Sequence, residues 1–281
     1  MNPADRRRLN AARGFIFDMD GTLVLGQAGG GGFSPLPGAV GLLEKLRDRG
    51  TPFRIFTNGT ARIPKFYAAA LREAGLDVRD DEMMTPATSA ADWFVRRKIK
   101  RVRALGGEGL QAPLREAGLD VVGPNQSADK VEAVFTGWYK EFSLACMERA
   151  CQDLWAGAQL TTSSNVPFFA TANGRSIGHS FAINAAIRAL TDKRARILGK
   201  PSRDAMACAL RRMGLPASAG ARTVVVCDDP ALEMRLAKNA GAMGVAVTSG
   251  LHDRAALSLA DKEERPDVVL DSLEPIIEAL G

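Results

Sequence analysis

Histidine and cysteine are scarce: the 281-residue chain holds two of the first (His179, His252) and four of the second (Cys146, Cys151, Cys208, Cys227). No two cysteines are spaced C-x-x-C, so the ligand pattern of a structural zinc site is missing. The four thiols read as reduced and mostly buried, as expected in a reducing compartment. With only two tyrosines and three tryptophans, the chain lacks the aromatic platform on which single-stranded nucleic acid stacks. The formal net charge is +5, yet the only dense basic run is Arg6-Arg7-Arg8, with a weaker one at Arg96-Arg97-Lys98. No nucleic-acid partner is expected, and a mild basic balance suits small anionic substrates. Apolar stretches are short and interrupted by charge, far below the ~20 residues that span a bilayer. The first dozen residues are polar and basic with no apolar segment behind them. No membrane association is expected, and the expected location is the cytoplasm.

What is present suits a globular chain. Hydrophobic residues make up 46% and charged residues 25%, enough for a sizeable core. Strand-like runs alternate with helix-like ones, the pattern of an α/β fold with a parallel sheet. Gly14–Phe17 reads as a strand ending in Asp18, followed by a glycine-rich loop from Gly26 to Gly32. A helix over about 38–49, stopped by Gly50, precedes a strand at 52–56 that ends in Thr57-Asn58-Gly59-Thr60. A further helix over about 62–74 ends at Gly75. The middle of the chain has its own strand and helix alternation, and we read 88–191 as an insertion between a first core segment, 1–87, and a second, 192–281. In the second segment, Ile197-Leu198-Gly199-Lys200-Pro201 closes a strand, and Thr223–Cys227 is a β-branched strand ending in Asp228-Asp229. Helices over about 203–213 and 230–240, a strand at 245–248, a strand at 268–270 and a helix over 273–280 complete it.

Four places along this chain could carry chemistry. Asp18-Met19-Asp20-Gly21-Thr22 puts two carboxylates two residues apart at a strand end, a concentration of negative charge that a hard cation such as Mg²⁺ relieves. One carboxylate could then attack phosphorus while the other moves a proton. The same residues would also serve an ordinary Asp-x-Asp-Gly turn. Thr57-Asn58 offers a hydroxyl donor at a strand end, or simply a helix cap. Lys200 offers a compact positive charge, or a solvated surface side chain. Asp228-Asp229 could bind a metal, or cap the helix that follows.

The run Gly14-Phe15-Ile16-Phe17-Asp18-Met19-Asp20-Gly21-Thr22-Leu23 resembles the first motif of the haloacid dehalogenase (HAD) superfamily. The later motifs resemble that family's others in chain order: Thr57-Asn58, then Gly199-Lys200-Pro201-Ser202, then Cys227-Asp228-Asp229-Pro230-Ala231-Leu232-Glu233. The resemblance implies a Rossmann-like parallel-sheet core. It implies that Asp18 is the nucleophile of a phospho-aspartate mechanism and Asp20 its general acid/base. Mg²⁺ would be held by the Asp18 side chain, the Asp20 backbone carbonyl and Asp228, with Asp229 and Glu233 supporting it from behind. Thr57, Asn58, Gly59 and Lys200 would bind the phosphoryl group. All four motifs are expected at one edge of one sheet.

The insertion's position, with Leu36-Pro37-Gly38-Ala39 ahead of the first helix, resembles the NagD-like branch with an α/β cap of C2 type. That branch contains phosphatases of sugar phosphates, nucleotides, glycerol phosphate, pyridoxal phosphate and p-nitrophenyl phosphate, and its members often dimerise through their caps. The expected function is therefore Mg²⁺-dependent hydrolysis of a small phosphorylated metabolite. Two positions depart from the pattern: Cys227 stands where a glycine usually precedes the acidic motif, and Ile177-Gly178-His179-Ser180 replaces a Pro-Gly-rich stretch. His179 lies in the cap segment expected to face the core, which suggests a part in specificity. Two alternatives remain: a binding or regulatory protein on a decayed hydrolase fold, and a carbon–halogen hydrolase. Asp20 speaks against the second, because the dehalogenases of this superfamily lack that acid.

Overall fold

Gly14–Phe17 and Thr223–Cys227 have no polar face, which suits strands covered on both sides. Both are buried throughout and pair in the middle of one sheet. The computed structural model describes residues 1–26, 32–171, 174–250 and 252–281; the sequence-read glycine loop therefore lies outside the described residues over 27–31. In chain order, α1 (Pro3–Asn10) and β1 (Gly14–Phe17) are followed by an antiparallel pair, β2 (Val24–Gly26) and β3 (Phe33–Pro35). Then come α2 (Ala39–Asp48), β4 (Phe53–Phe56), α3 (Pro64–Glu73) and β5 (Met83–Met84). The middle of the chain carries α4 (Pro86–Arg96), β6 (Arg101–Leu105), α5 (Glu108–Glu116), β7 (Asp120–Val122) and β8 (Ala133–Thr136). It continues with α6 (Leu144–Trp155), β9 (Gln159–Thr162), the hairpin β10 (Phe168–Thr171) and β11 (Gly174–Ile177), α7 (His179–Thr191) and β12 (Arg196–Ile197). The chain closes with α8 (Arg203–Arg212), β13 (Thr223–Cys227), α9 (Pro230–Ala240), β14 (Met243–Val247), α10 (Arg254–Leu259), β15 (Val268–Leu270) and α11 (Glu274–Leu280).

These elements form two units. The first comprises 1–57, 65–84 and 201–281. Its main sheet has six parallel strands in the order β15-β14-β13-β1-β4-β5. Because side chains alternate along a strand, Phe15 and Phe17 pack with Leu42 and Leu46 of α2, Leu71 of α3 and Ile276 of α11. Ile16, between them, packs on the opposite face with Met206 and Leu210 of α8 and Leu236 of α9. A parallel sheet with helices on both faces results, the architecture in which ligands bind outside the carboxyl ends of the strands.

The second unit comprises 58–64 and 85–200, wider than the inserted span 88–191 read from the sequence. Its five-stranded parallel sheet has the order β12-β9-β8-β6-β7. Helices α4 and α5 cover one face, and α6 and α7 the other. One expectation is overturned here. The strand leading to Lys200 does not join the sheet that carries Asp18; β12 pairs with β9, Ile197 against Thr162, in the second unit. A two-residue strand has no periodicity from which its partner could be read.

Candidate active site

Asp18 continues directly from β1, its N–H donating to the Val226 carbonyl at 2.9 Å. Since Phe17 is in register with Val226 on one side and Ile55 on the other, the acidic ends of β1 and β13 are side by side. Thr57 ends the neighbouring β4, buried, its N–H donating to Met84 O at 3.2 Å. Asp18, Thr57 and Asp228 thus share the carboxyl edge of three adjacent strands, as expected. After Asp18 the chain turns sharply: Leu23 N–H returns to Met19 O at 3.0 Å and Gly21 N–H to Val24 O at 2.8 Å. Asp18 is half-buried and Asp20 exposed, so the two carboxylates meet different environments.

Asp228 is 4% exposed, and the turn after Asp18 is shaped around it. Thr22 Oγ1 donates to Asp228 Oδ1 at 3.4 Å. Gly21 has φ +74°, and a Cβ there would stand 2.2 Å from Asp228 Oδ2. From the other side, a Cβ at Gly250 would stand 1.9 Å from the same oxygen. Ser249 closes the ring, its hydroxyl donating to Gly21 O at 2.9 Å. Glycine at both positions therefore leaves room beside a buried carboxylate that the Thr22 hydroxyl also touches, next to the Asp18 strand end. Ser249 and Gly250 were missed by sequence reasoning, which ends a strand at 248 and assigns nothing to the two residues after it.

Asp18, Asp228 and the Asp20 carbonyl offer oxygen donors only, which suits a hard cation such as Mg²⁺. Among the described residues no cluster of three or more His, Cys, Asp or Glu side chains forms a metal-binding group. The ligand set implied by the motifs, two carboxylates and one backbone carbonyl, calls for no such cluster. A side chain that crowds Asp228 should therefore weaken metal binding. Gly21→Ala is expected to lower Mg²⁺ affinity by about 10- to 100-fold, the scale on which supporting residues act at metal sites. Half-maximal activation by Mg²⁺ would measure it, and an unchanged activation curve would contradict it.

The remaining sequence-predicted residues are placed as follows. Asp229 accepts from Ala231 N–H at 3.0 Å through Oδ1 and so caps α9; His252 Nε2 stands 3.8 Å from the same oxygen. Glu233 is buried in the first turn of α9. Cys227 is fully buried within β13, in register with Ala246, so its side chain is accommodated by strand packing. In the second unit, Asn58 Oδ1 accepts the Lys200 N–H at 3.2 Å, joining the second and third motifs, and Lys200 is buried. Gly59 follows Asn58 in the same unit. His179 opens α7 and stacks on Trp138, the ring centroids 5.2 Å apart at 9°. Lys140 Nζ lies 5.1 Å from the Trp138 ring centroid. Trp138 is anchored by its N–H to Thr60 Oγ1 at 2.9 Å, two residues beyond Asn58. Sequence reasoning missed Trp138, which had no signal beyond being one of three tryptophans.

Comparisons with known proteins bear on the family and the fold. The profile of the haloacid dehalogenase-like hydrolases matches residues 15–120, and a second, HAD-hydrolase-like profile matches residues 197–276. The chain is 26% identical to chronophin from Rattus norvegicus, over 97% of this chain and 89% of the relative. It is similar to the solved 4-nitrophenylphosphatase of Thermotoga maritima, with a TM-score of 0.85, 27% identity and coverage of 98% and 99% of the two chains. It is also similar to a glycerol phosphate phosphatase from Mycobacterium tuberculosis solved with magnesium, with a TM-score of 0.80, 25% identity and coverage of 96% and 77%.

Proposed function

Because the chain belongs to the haloacid dehalogenase-like hydrolases, and is a phosphatase of that family, we propose that it hydrolyses a small phosphate monoester through a phospho-aspartate on Asp18. The observation that carries this reading is the pairing of two acidic strand ends, Asp18 and Asp228, with glycines at 21 and 250 where any side chain would collide with the second carboxylate. Bound Mg²⁺ would offset the charge of the carboxylates and of the phosphoryl oxygens, so that an anionic nucleophile could approach an anionic substrate.

Asp18 attacks phosphorus, and the bond from phosphorus to the ester oxygen breaks. Asp20, exposed beside it, gives its proton to the departing oxygen. In the second half-reaction Asp20 takes a proton from water as that water attacks the phospho-aspartate, which releases inorganic phosphate and restores Asp18. Thr57, which follows β4 at the same strand edge as Asp18, would donate to a phosphoryl oxygen. The roles of Asn58, Gly59 and Lys200 in phosphate binding are supported by the motif match, and the link from Asn58 to Lys200 N–H is consistent with them. We assign residues 58–64 and 85–200 the role of a C2-type cap, and His179 with Trp138 a part in recognising the leaving group.

A panel of phosphorylated metabolites with p-nitrophenyl phosphate, assayed with Mg²⁺ and with EDTA, tests this reading. Turnover is expected with Mg²⁺, falling to background in EDTA and returning when Mg²⁺ is restored. Undiminished hydrolysis in EDTA would overturn it.

A further inference from the structure

The opposite end of the first unit's sheet carries a second concentration of charge. A cleft of about 270 Å³ opens at the amino end of β4, lined among others by Arg47, Arg54, Arg79, Asp81, Glu82 and Arg212. Four arginines thus face two carboxylates. Counting Asp77, which pairs with Arg47 Nε at 2.7 Å, one positive charge is still in excess.

The carboxylates present are committed elsewhere. Glu82 accepts from both Arg47 terminal nitrogens at 2.9 Å, from Arg79 N–H at 2.8 Å and from Arg79 Nε at 3.2 Å. Burial works against its charge, but these donors prevail and hold its carboxyl below the ordinary value. Asp81 is 65% exposed and reaches Arg54 only at 3.6 Å, so water screens most of that attraction.

Arg54 is the residue left short. It is 7% exposed, on a strand in the interior of the sheet. Its Nη1 donates to the neighbouring Phe53 carbonyl at 2.6 Å and its Nη2 to the Arg212 carbonyl. Its Nε is buried and makes no hydrogen bond among the described residues. Burial, and after it the nearby Arg212 charge, push the Arg54 guanidinium below its ordinary pKa. A buried cation is costly unless paired and hydrogen-bonded, and a planar guanidinium is matched best by an oxyanion.

We infer that this cleft is a binding site for a phosphoryl-class oxyanion, held by Arg54, Arg79 and Arg212 at the sheet end away from Asp18. The volume admits a small anion. The walls also lead toward the catalytic edge. Arg54 stands three residues before Thr57 on β4, and Glu82 two residues before Met84, whose carbonyl accepts the Thr57 N–H.

Isothermal titration of the full chain with inorganic phosphate, in chelator and at matched ionic strength, tests the site without relying on catalysis. Saturable binding is expected in the wild type and in Lys200→Met, which alters only the phosphate-binding motifs. In the double variant Arg79→Gln, Arg212→Gln, whose two side chains are exposed, binding should weaken at least tenfold while the melting temperature without phosphate stays near wild type. A parallel titration with glycerol 3-phosphate separates free phosphate from the phosphoryl group of a metabolite; saturable binding of either supports the site. Absence of binding, binding lost in Lys200→Met, or binding unchanged in the double variant would each overturn the inference.

Discussion

Asp18→Asn is expected to lower p-nitrophenyl phosphate turnover by at least ~10⁴-fold, the scale of losses seen when a nucleophile is removed. The substitution exchanges one carboxylate oxygen for an amide nitrogen and changes little else. The backbone bond from residue 18 to Val226 O involves no side-chain atom, and the strand before it is fully buried and unaltered. Folding should therefore be preserved, which a melting curve beside the initial-rate assay would verify. A variant that melts like the wild type and retains more than about a hundredth of its turnover would remove Asp18 from the nucleophile's role. Loss of activity accompanied by loss of fold would not be the expected result, because Asn matches Asp in shape and the residue is half-buried at a strand end.

The largest effect on stability is expected at Arg103 in the second unit. Its side chain is 2% exposed and its Nε pairs with Asp153, itself 11% exposed. Its Nη1 donates to the carbonyls of Gly123 at 2.9 Å and Gln126 at 2.8 Å, so one guanidinium ties β6, α6 and the loop after β7 together. Arg103→Met should cost about 3–5 kcal/mol, because it strands a largely buried carboxylate and two carbonyls. Adding Asp153→Leu should return much of the loss, since the unpaired charge rather than the missing attraction dominates the penalty. Urea denaturation of the two variants would measure both, and a single substitution costing less than about 1 kcal/mol would show that water reaches Asp153 freely.

Much of the fold could be read because its central strands are unbroken apolar runs and its helices end on clear signals. Gly14–Phe17, Thr223–Cys227 and Pro230–Ala240 fall where the sequence puts them, the last opened by the Asp229 cap and closed by Gly241 at φ +68°. The catalytic edge was legible for the same reason: Asp18, Thr57 and Asp228 each follow a strand whose pattern is plain. What escaped had no local signal. Helix α1, with Arg6-Arg7-Arg8 and only Leu9 buried, has almost no apolar face to detect. Helix α4 was passed over because the expected insertion boundary fell within it. The approach of Gly250 to Asp228 joins residues 22 apart in sequence across a whole helix and strand. The pairing of β12 with β9 and the stacking of His179 on Trp138 are likewise long-range choices that periodicity does not encode.

The boundary between the two units has a consequence for how this molecule could be dissected or recombined. It falls after residues 57, 64, 84 and 200, so the polypeptide passes between units four times. Two of those passages cut through motifs, between Thr57 and Asn58 and between Lys200 and Pro201. Neither unit is a transferable cassette. Excising 85–200 as one piece would leave behind the seven residues 58–64, and with them Thr60, the anchor of Trp138. It would also separate Lys200 from Asn58, whose side chain holds its backbone. Grafting a foreign insertion would have to respect both passages, which confines viable exchanges among related proteins to those carrying a matching segment after the second motif.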